Sequence, residues 1–422
     1  MYLKILKKFI ILLTIFLFLF NTNFIYADDI NENDENNENI NISSEVSSVA
    51  ISEPTLNSKS CVVIDRLSKK VLYGKNENNK VKMASTTKIM TAIVIIETSQ
   101  LDKTIEVSKK AANTGGSKLG LKTGDKISVL DLLYGLMLCS GNDAAVALAE
   151  GVSGSISNFS ELMNKKAQSL NLTNTNFESP HGLDSDNHYT TAYELSILTD
   201  YALKNTTFRN IVSTKSYTIN INGYPKTLNN TNELLGNLNV VYGVKTGFTN
   251  GANRCLVTAC KRGDLDIICV VLGADTKKFR TQDSIKLIEY VFKNFEYVDI
   301  EKIIDTNINN WKKENYDSFN ITKGKSNNID IYIEDLTCPI IPIKKEYINS
   351  INTYIVMDTT FEAPLEAKHI IGNITIKSKE EIIIEIAILC NNQIKKKNIL
   401  DYFSFFITSY HKILEQNIYL EN

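Results

Sequence analysis

Residues 255–272 read Cys-Leu-Val-Thr-Ala-Cys-Lys-Arg-Gly-Asp-Leu-Asp-Ile-Ile-Cys-Val-Val-Leu. Two apolar runs, 255–260 and 266–272, flank a polar turn at 261–264, as in an antiparallel hairpin. Far upstream, 61–65 and 70–73 give a second pair of short apolar runs around a polar turn. Between the two pairs the period changes to helical. Residues 83–97 carry Ile89, Ala92, Ile93 and Ile96 on one face, and 129–138 is a second apolar helical run. Residues 142–150 form an Ala-rich helix expected to stop at Gly151, and 156–170 carries another apolar stripe. Thr191 with Glu194 reads as a capping box opening a further helix. Residues 283–295 form a closing helix. Strands that open and close a region whose middle is helical imply α+β with an antiparallel sheet, not alternating βαβ.

Working outward, composition shifts after residue 295. Short Ile/Val-rich runs at 329–333, 353–357, 370–376 and 381–388 are broken by Asn, Lys, Gly and Pro, and predict a separate all-β domain over 299–394. Residues 395–422 open with Lys395-Lys396-Lys397 before Tyr402, Phe403, Phe405, Phe406 and Ile407. That pairing suits an interfacial membrane helix, or a last element packed on the β domain. At the other end, Lys4, Lys7 and Lys8 precede an apolar run at 9–20 and an Ile25-Tyr26-Ala27 cleavage site. Residues 1–27 therefore read as a signal peptide, and the rest of the chain is expected outside the cytoplasm. Residues 28–57 are rich in Asn, Asp, Glu and Ser and read as a disordered acidic linker before a domain at 58–298.

Composition sets limits. Hydrophobic residues make up 43% and charged residues 22%, which are globular values. Lys+Arg 46 against Asp+Glu 48 gives a net charge of −2, so no nucleic-acid partner is expected. Seven cysteines without C-x-x-C spacing lie mostly in apolar runs and read as buried side chains, not as a disulfide framework. Four dispersed histidines without H-E-x-x-H give no reason to expect a metal or other cofactor.

Three short motifs carry the chemistry: Ser85-Thr86-Thr87-Lys88, then Ser140-Gly141-Asn142, then Lys245-Thr246-Gly247. Each alone would be a cap or a tight turn; the ordered set is the signal. Ser85 and Lys88, three positions apart, share a helix face, so the amine can take the hydroxyl's proton. That role asks for a lowered lysine pKa, from burial or from a second cation such as Lys245. Ser140 can relay a proton to a leaving amine, and Asn142 can position a scissile amide. Lys245 and Thr246 can pair with a substrate carboxylate. His181, after Pro180, reads as a turn histidine.

These motifs sit in longer stretches: Met83-Ala84-Ser85-Thr86-Thr87-Lys88-Ile89-Met90-Thr91-Ala92, 132–145, Phe177-Glu178-Ser179-Pro180-His181-Gly182-Leu183, and Gly243-Val244-Lys245-Thr246-Gly247-Phe248-Thr249. With them the chain resembles the low-molecular-mass penicillin-binding proteins, the serine D-alanyl-D-alanine carboxypeptidases of peptidase family S11. The resemblance is strong over 58–295. It is weaker afterwards, resting on Ala363-Pro364-Leu365 and Ile371-Gly372. It implies a DD-peptidase/β-lactamase-like domain followed by the small β domain. Its implied substrate is peptidoglycan stem peptides ending in D-Ala-D-Ala, with β-lactams as covalent inhibitors. By carry-over Ser85 is the nucleophile, Lys88 its base and Ser140 the third catalytic member. Lys245 contacts the substrate carboxylate, beside Asn142, Thr246, Gly247 and Phe248. The backbone N–H groups of Ser85 and Phe248 form the oxyanion hole. Asn253 departs from the family's usual Gly. Two other readings are a β-lactamase, for which Glu178 is the nearest candidate glutamate, and a catalytically inactive wall-binding protein.

Overall fold

A computed structural model describes residues 52–315, 318–379 and 381–420. The signal segment and most of the expected linker lie outside the described residues. The chain forms two compact units, one from Glu53 to Val291 and one from Phe292 onward.

The first unit is built on a five-stranded antiparallel sheet. Its strands are β1 (Ser60–Asp65), β2 (Val71–Lys75), β3 (Val241–Thr249), β4 (Asn253–Arg262) and β5 (Leu265–Ala274). Their spatial order is β2-β1-β5-β4-β3, with Val62 opposite Val270, Val257 opposite Val270 and Lys245 opposite Val257. First and last strands of the region thus meet in one sheet, as the opening and closing apolar runs predict, and β3 forms one edge. The central strands are buried on both faces, which is why they read as continuous apolar runs without alternation.

Helices fill the middle: α1 (Lys88–Thr98), α2 (Val129–Leu138), α3 (Asn142–Ser153), α4 (Ile156–Ser169), α5 (Ala192–Lys204) and α6 (Thr206–Ser213), with α7 (Lys277–Asn294) closing. Side-chain caps start several of them. Ser128 accepts from Asp131 N, Ser155 from Asn158 N and Thr191 from Glu194 N. α3 runs past Gly151 to Ser153 and stops at Gly154, whose φ of 80° is the left-handed stop. The Thr191–Glu194 box is half made: the Glu194 carboxylate turns to Asn174 N, at 2.8 Å, and to Thr175 Oγ1. Ala144, Ala145, Ala147 and Ala149 are buried, and these small side chains let α3 pack against α1 and α2.

Two expectations need correction at the ends of this unit. The last residues counted with the acidic linker are tied to the domain. Thr55 O accepts from Lys286 Nζ at 3.1 Å, and Asn57 Nδ2 donates to Asp275 Oδ2 at 2.8 Å. Residues 83–97 are not one α-helix: a 3₁₀ turn, Ala84–Thr87, precedes α1.

The second unit is not all-β. It opens with β6 (Phe295–Asp299) and a capped 15-residue helix, α8 (Ile300–Glu314). α8 buries Ile300, Ile304 and Ile308 with Ile371, Ile374 and Ile388 of the sheet. Then come β7 (Ile331–Tyr332), β8 (Ile340–Lys344), β9 (Ile351–Met357), β10 (His369–Ser378) and β11 (Glu381–Cys390). β6 pairs with β8, and the four-stranded sheet runs β7-β11-β10-β9. Residues 395–397 belong to this unit: Lys325 N donates to Lys395 O at 2.9 Å and Lys397 N to Lys323 O at 2.8 Å. Only then does α9 (Ile399–Leu420) begin.

Candidate active site

The 3₁₀ turn explains the first motif. In a 3₁₀ helix residues i and i+3 eclipse, so Ser85 and Lys88 project together. Lys88 Nζ lies 2.7 Å from Ser85 Oγ. The same Nζ reaches Asn142 Oδ1 at 2.7 Å, His181 O at 3.1 Å and Ser140 Oγ at 3.4 Å. Lys88 is fully buried, while Ser85 is half-buried at the mouth of a cleft. That cleft is lined by Ser85, Ser117, Asn142, His181, Leu183 and Phe248 among others.

The contacts fit a base that changes protonation. Asn142 Oδ1 and His181 O can only accept, so they take two N–H bonds of the amine. The hydroxyls can donate or accept, so the remaining direction suits a lone pair receiving the Ser85 proton as well as an ammonium returning it. Asn142 cannot turn over, because its Nδ2 donates to Gly115 O at 2.7 Å. Both ends of its amide are engaged, and its visible work is holding Lys88. Ser140 joins α2 to α3 with φ 61°, a left-handed conformation rare for serine, and it is buried. Neighbouring Asp143 ties the start of α3 to residues 119–121. Its carboxylate accepts from Leu119 N, Gly120 N and Leu121 N at 2.7, 2.7 and 3.0 Å.

The third motif lies along edge strand β3. Gly247 is where this strand passes the serine turn: a Cβ there would sit 3.1 Å from Ser85 N and 3.2 Å from Thr86 N. Thr246 Oγ1 shares a 2.8 Å hydrogen bond with Thr231 Oγ1. Buried Lys245 donates to Thr246 O at 3.0 Å. Phe248 lines the cleft, with the Arg254 guanidinium 3.8 Å from its ring centroid. Lys88 therefore gathers Ser85, Ser140 and Asn142 directly, while Gly247 and Phe248 bring β3 alongside.

Sequence reasoning left out several residues. Gly182 has φ +84°, and a Cβ there would fall 2.0 Å from Ala84 O, so only glycine fits behind the serine turn. His181 does make the expected turn bond, accepting on Nδ1 from Leu183 N at 3.2 Å, yet it also lines the cleft and lends its carbonyl to Lys88. Burial, the Lys88 charge and His188 push its pKa down from 6.5 to about 3, so it is neutral. Glu178 accepts a hydrogen bond from Ser185 Oγ on the exposed side.

Comparison with known proteins agrees with this geometry. Residues 47–276 match the profile described as D-alanyl-D-alanine carboxypeptidase of peptidase family S11, and 312–396 match the penicillin-binding protein 5 C-terminal domain. The chain is 33% identical to D-alanyl-D-alanine carboxypeptidase DacF of Bacillus subtilis over 357 residues, covering 83% of this chain and 89% of the relative. It is 38% identical to DacC of Escherichia coli over 261 residues, covering 59% and 64%. Among solved structures, penicillin binding protein 5 from Haemophilus influenzae superimposes with a TM-score of 0.65 at 27% identity, covering 82% of this chain and 100% of that one. The Streptomyces K15 DD-transpeptidase gives 0.54 at 35%, covering 57% and 98%. With Lys88 gathering the first two motifs and Gly247 of the third beside Ser85, these matches show that the chain belongs to the serine D-alanyl-D-alanine carboxypeptidases of peptidase family S11.

Proposed function

We propose that this penicillin-binding carboxypeptidase removes the terminal D-alanine of peptidoglycan stem peptides with Ser85 as its nucleophile. Ser85 Oγ attacks the carbonyl carbon of the D-Ala-D-Ala amide while Lys88 Nζ takes its proton. The negative charge that develops on the carbonyl oxygen is met by the N–H groups of Ser85 and Phe248. Collapse breaks the C–N bond, and the leaving amine takes a proton from Lys88 through Ser140. A water then repeats the attack on the ester, giving its proton to Lys88, and releases the shortened peptide with Ser85 restored. Lys245 and Thr246 pair with the terminal carboxylate, and edge strand β3 offers backbone groups to an extended peptide.

The observation that carries this reading is the buried Lys88 amine 2.7 Å from Ser85 Oγ and 3.4 Å from Ser140 Oγ. A β-lactam presents the same carbonyl and carboxylate, so a labelled penicillin is expected to acylate Ser85. Peptide mass spectrometry should find the adduct there and none in Ser85→Ala. An adduct on another residue contradicts the assignment.

The sequence features at 1–27 support export to the outer face of the cytoplasmic membrane, where the wall substrate lies. Peripheral attachment there is supported by α9: Tyr402, Phe403, Phe405, Phe406 and Ile407 are exposed, directly after three lysines. No helix among the described residues is long and apolar enough to cross a membrane.

A further inference from the structure

The turn that carries Ser85 is held from behind by a histidine that the chemistry above does not use. His188 is 2% exposed. Its Nδ1 accepts from Glu178 N at 3.0 Å, and its ring stands edge-on to Phe177. An amide N–H aimed at Nδ1 makes that nitrogen the bare one, so the ring proton is on Nε2. Nε2 lies 2.7 Å from Thr87 Oγ1. The Thr87 hydroxyl lies 2.8 Å from Ala84 O, which can only accept, so the single hydroxyl proton goes there. Thr87 Oγ1 must then accept from His188. The chain has one direction: His188 Nε2–H to Thr87 O–H to Ala84 C=O.

Ala84 C=O and Ser85 N–H are the two ends of one planar peptide. Anchoring the carbonyl aims the N–H the opposite way. Drawing density into the carbonyl also makes that N–H a stronger donor, as in any hydrogen-bonded amide chain. The peptide needs this support, because Ala84 has φ +48°, a left-handed conformation that residues other than glycine rarely adopt. Gly182 closes against the same carbonyl and the Thr87 hydroxyl.

We propose that His188 is a positioning residue for the oxyanion hole: through the Thr87 hydroxyl it orients and polarises the Ala84–Ser85 peptide so that the Ser85 N–H meets the developing charge. This rests on the assignment of Ser85 as nucleophile. Burial keeps the ring neutral, with its pKa pushed down to about 4, so the arrangement persists at neutral pH.

Three substitutions test it. His188→Asn keeps an acceptor for Glu178 N but removes the donor to Thr87. Thr87→Val keeps the shape and removes the hydroxyl. Thr87→Ser keeps the hydroxyl. Stopped-flow acylation by a fluorescent penicillin separates the non-covalent dissociation constant from the acylation rate, and washout gives deacylation. Losing an oxyanion donor outright costs 10²–10³-fold, so a misaimed one is expected to cost on the order of 10- to 100-fold. His188→Asn and Thr87→Val should each lose that factor in acylation and in deacylation alike, with the dissociation constant unchanged. Thr87→Ser should recover most of the rate, and the double variant should be no slower than the slower single one, because both cut one relay. Mass spectrometry of each adduct reports whether Ser85 is modified. An adduct elsewhere in the wild type overturns the nucleophile assignment. With the adduct on Ser85, wild-type acylation in both variants overturns the proposal. So does a loss confined to the dissociation constant, or effects that multiply in the double variant.

Discussion

At the residue scale, two histidines are held neutral inside the protein, and this makes stability depend on pH. His188 and His181 have pKa values lowered from 6.5 to about 4 and about 3, chiefly by burial. Lys88 and His188 press His181 the same way, while Glu178 and Asp184 oppose the shift at His188. Below about pH 6.5 the unfolded chain binds protons at both positions and the folded chain does not. The stability is therefore fully present above that pH and is lost as pH falls toward 4, by up to about 1.4 kcal/mol per pH unit for each ring. Thermal melts at pH 7 and pH 5 should show a falling midpoint, with a shallower fall in His188→Asn. Equal midpoints at the two pH values contradict the buried neutral pair. The sequence singled out Ser85, Lys88, Ser140 and Lys245 as candidates because their types and order are specific, and Lys88 gathers Ser85 and Ser140. It hid His188, Gly182 and Asp143, whose work is to hold backbone. Such work depends on which amide comes near, and spacing along the chain does not show that.

At the element scale, the β3–β4 hairpin settles what looked like a departure from the family pattern. Asn253 takes φ +58°, the left-handed region that favours glycine, and asparagine is among the few other residues that tolerate it. Asn253→Gly is expected to be nearly neutral, whereas Asn253→Ala should destabilise by about 1–2 kcal/mol, read as a shift in denaturant midpoint at constant slope. An equally harmless alanine contradicts the argument. Four of the five strands of the central sheet and the helices α2 and α4 were legible because their apolar runs are long, whereas edge strand β3, whose glycines and polar residues break the run, was not. Helix α8 was not. Its buried stripe is only Ile300, Ile304 and Ile308, and the Asn- and Lys-rich residues between them resemble the broken pattern of the strands that follow. The 3₁₀ start of the first helix was also invisible, because its i,i+3 pairing produces the same residue spacing as an α-helix.

At the scale of the whole molecule, the proposed attachment to the membrane surface is tested by removing one helix. Because residues 395–397 are hydrogen-bonded into the second unit, the segment to remove is α9 alone. A chain ending at Lys397 should keep full activity on a soluble peptide and stop co-sedimenting with anionic vesicles at low salt, where each basic residue near the surface contributes about 1 kcal/mol. Failure of the full-length mature protein to co-sediment contradicts membrane attachment. The α+β class was legible, because apolar runs and composition shifts are properties of long segments; the place of the lysine cluster was not, since a three-residue backbone pairing leaves no such mark. The account rests most heavily on peptide hydrolysis at Ser85, and the measurement that tests it is D-alanine release from a stem peptide ending in D-Ala-D-Ala. The wild type should release one D-alanine per peptide, and Ser85→Ala should release none above background. Release by Ser85→Ala at the wild-type rate, or none by a folded wild type, contradicts it.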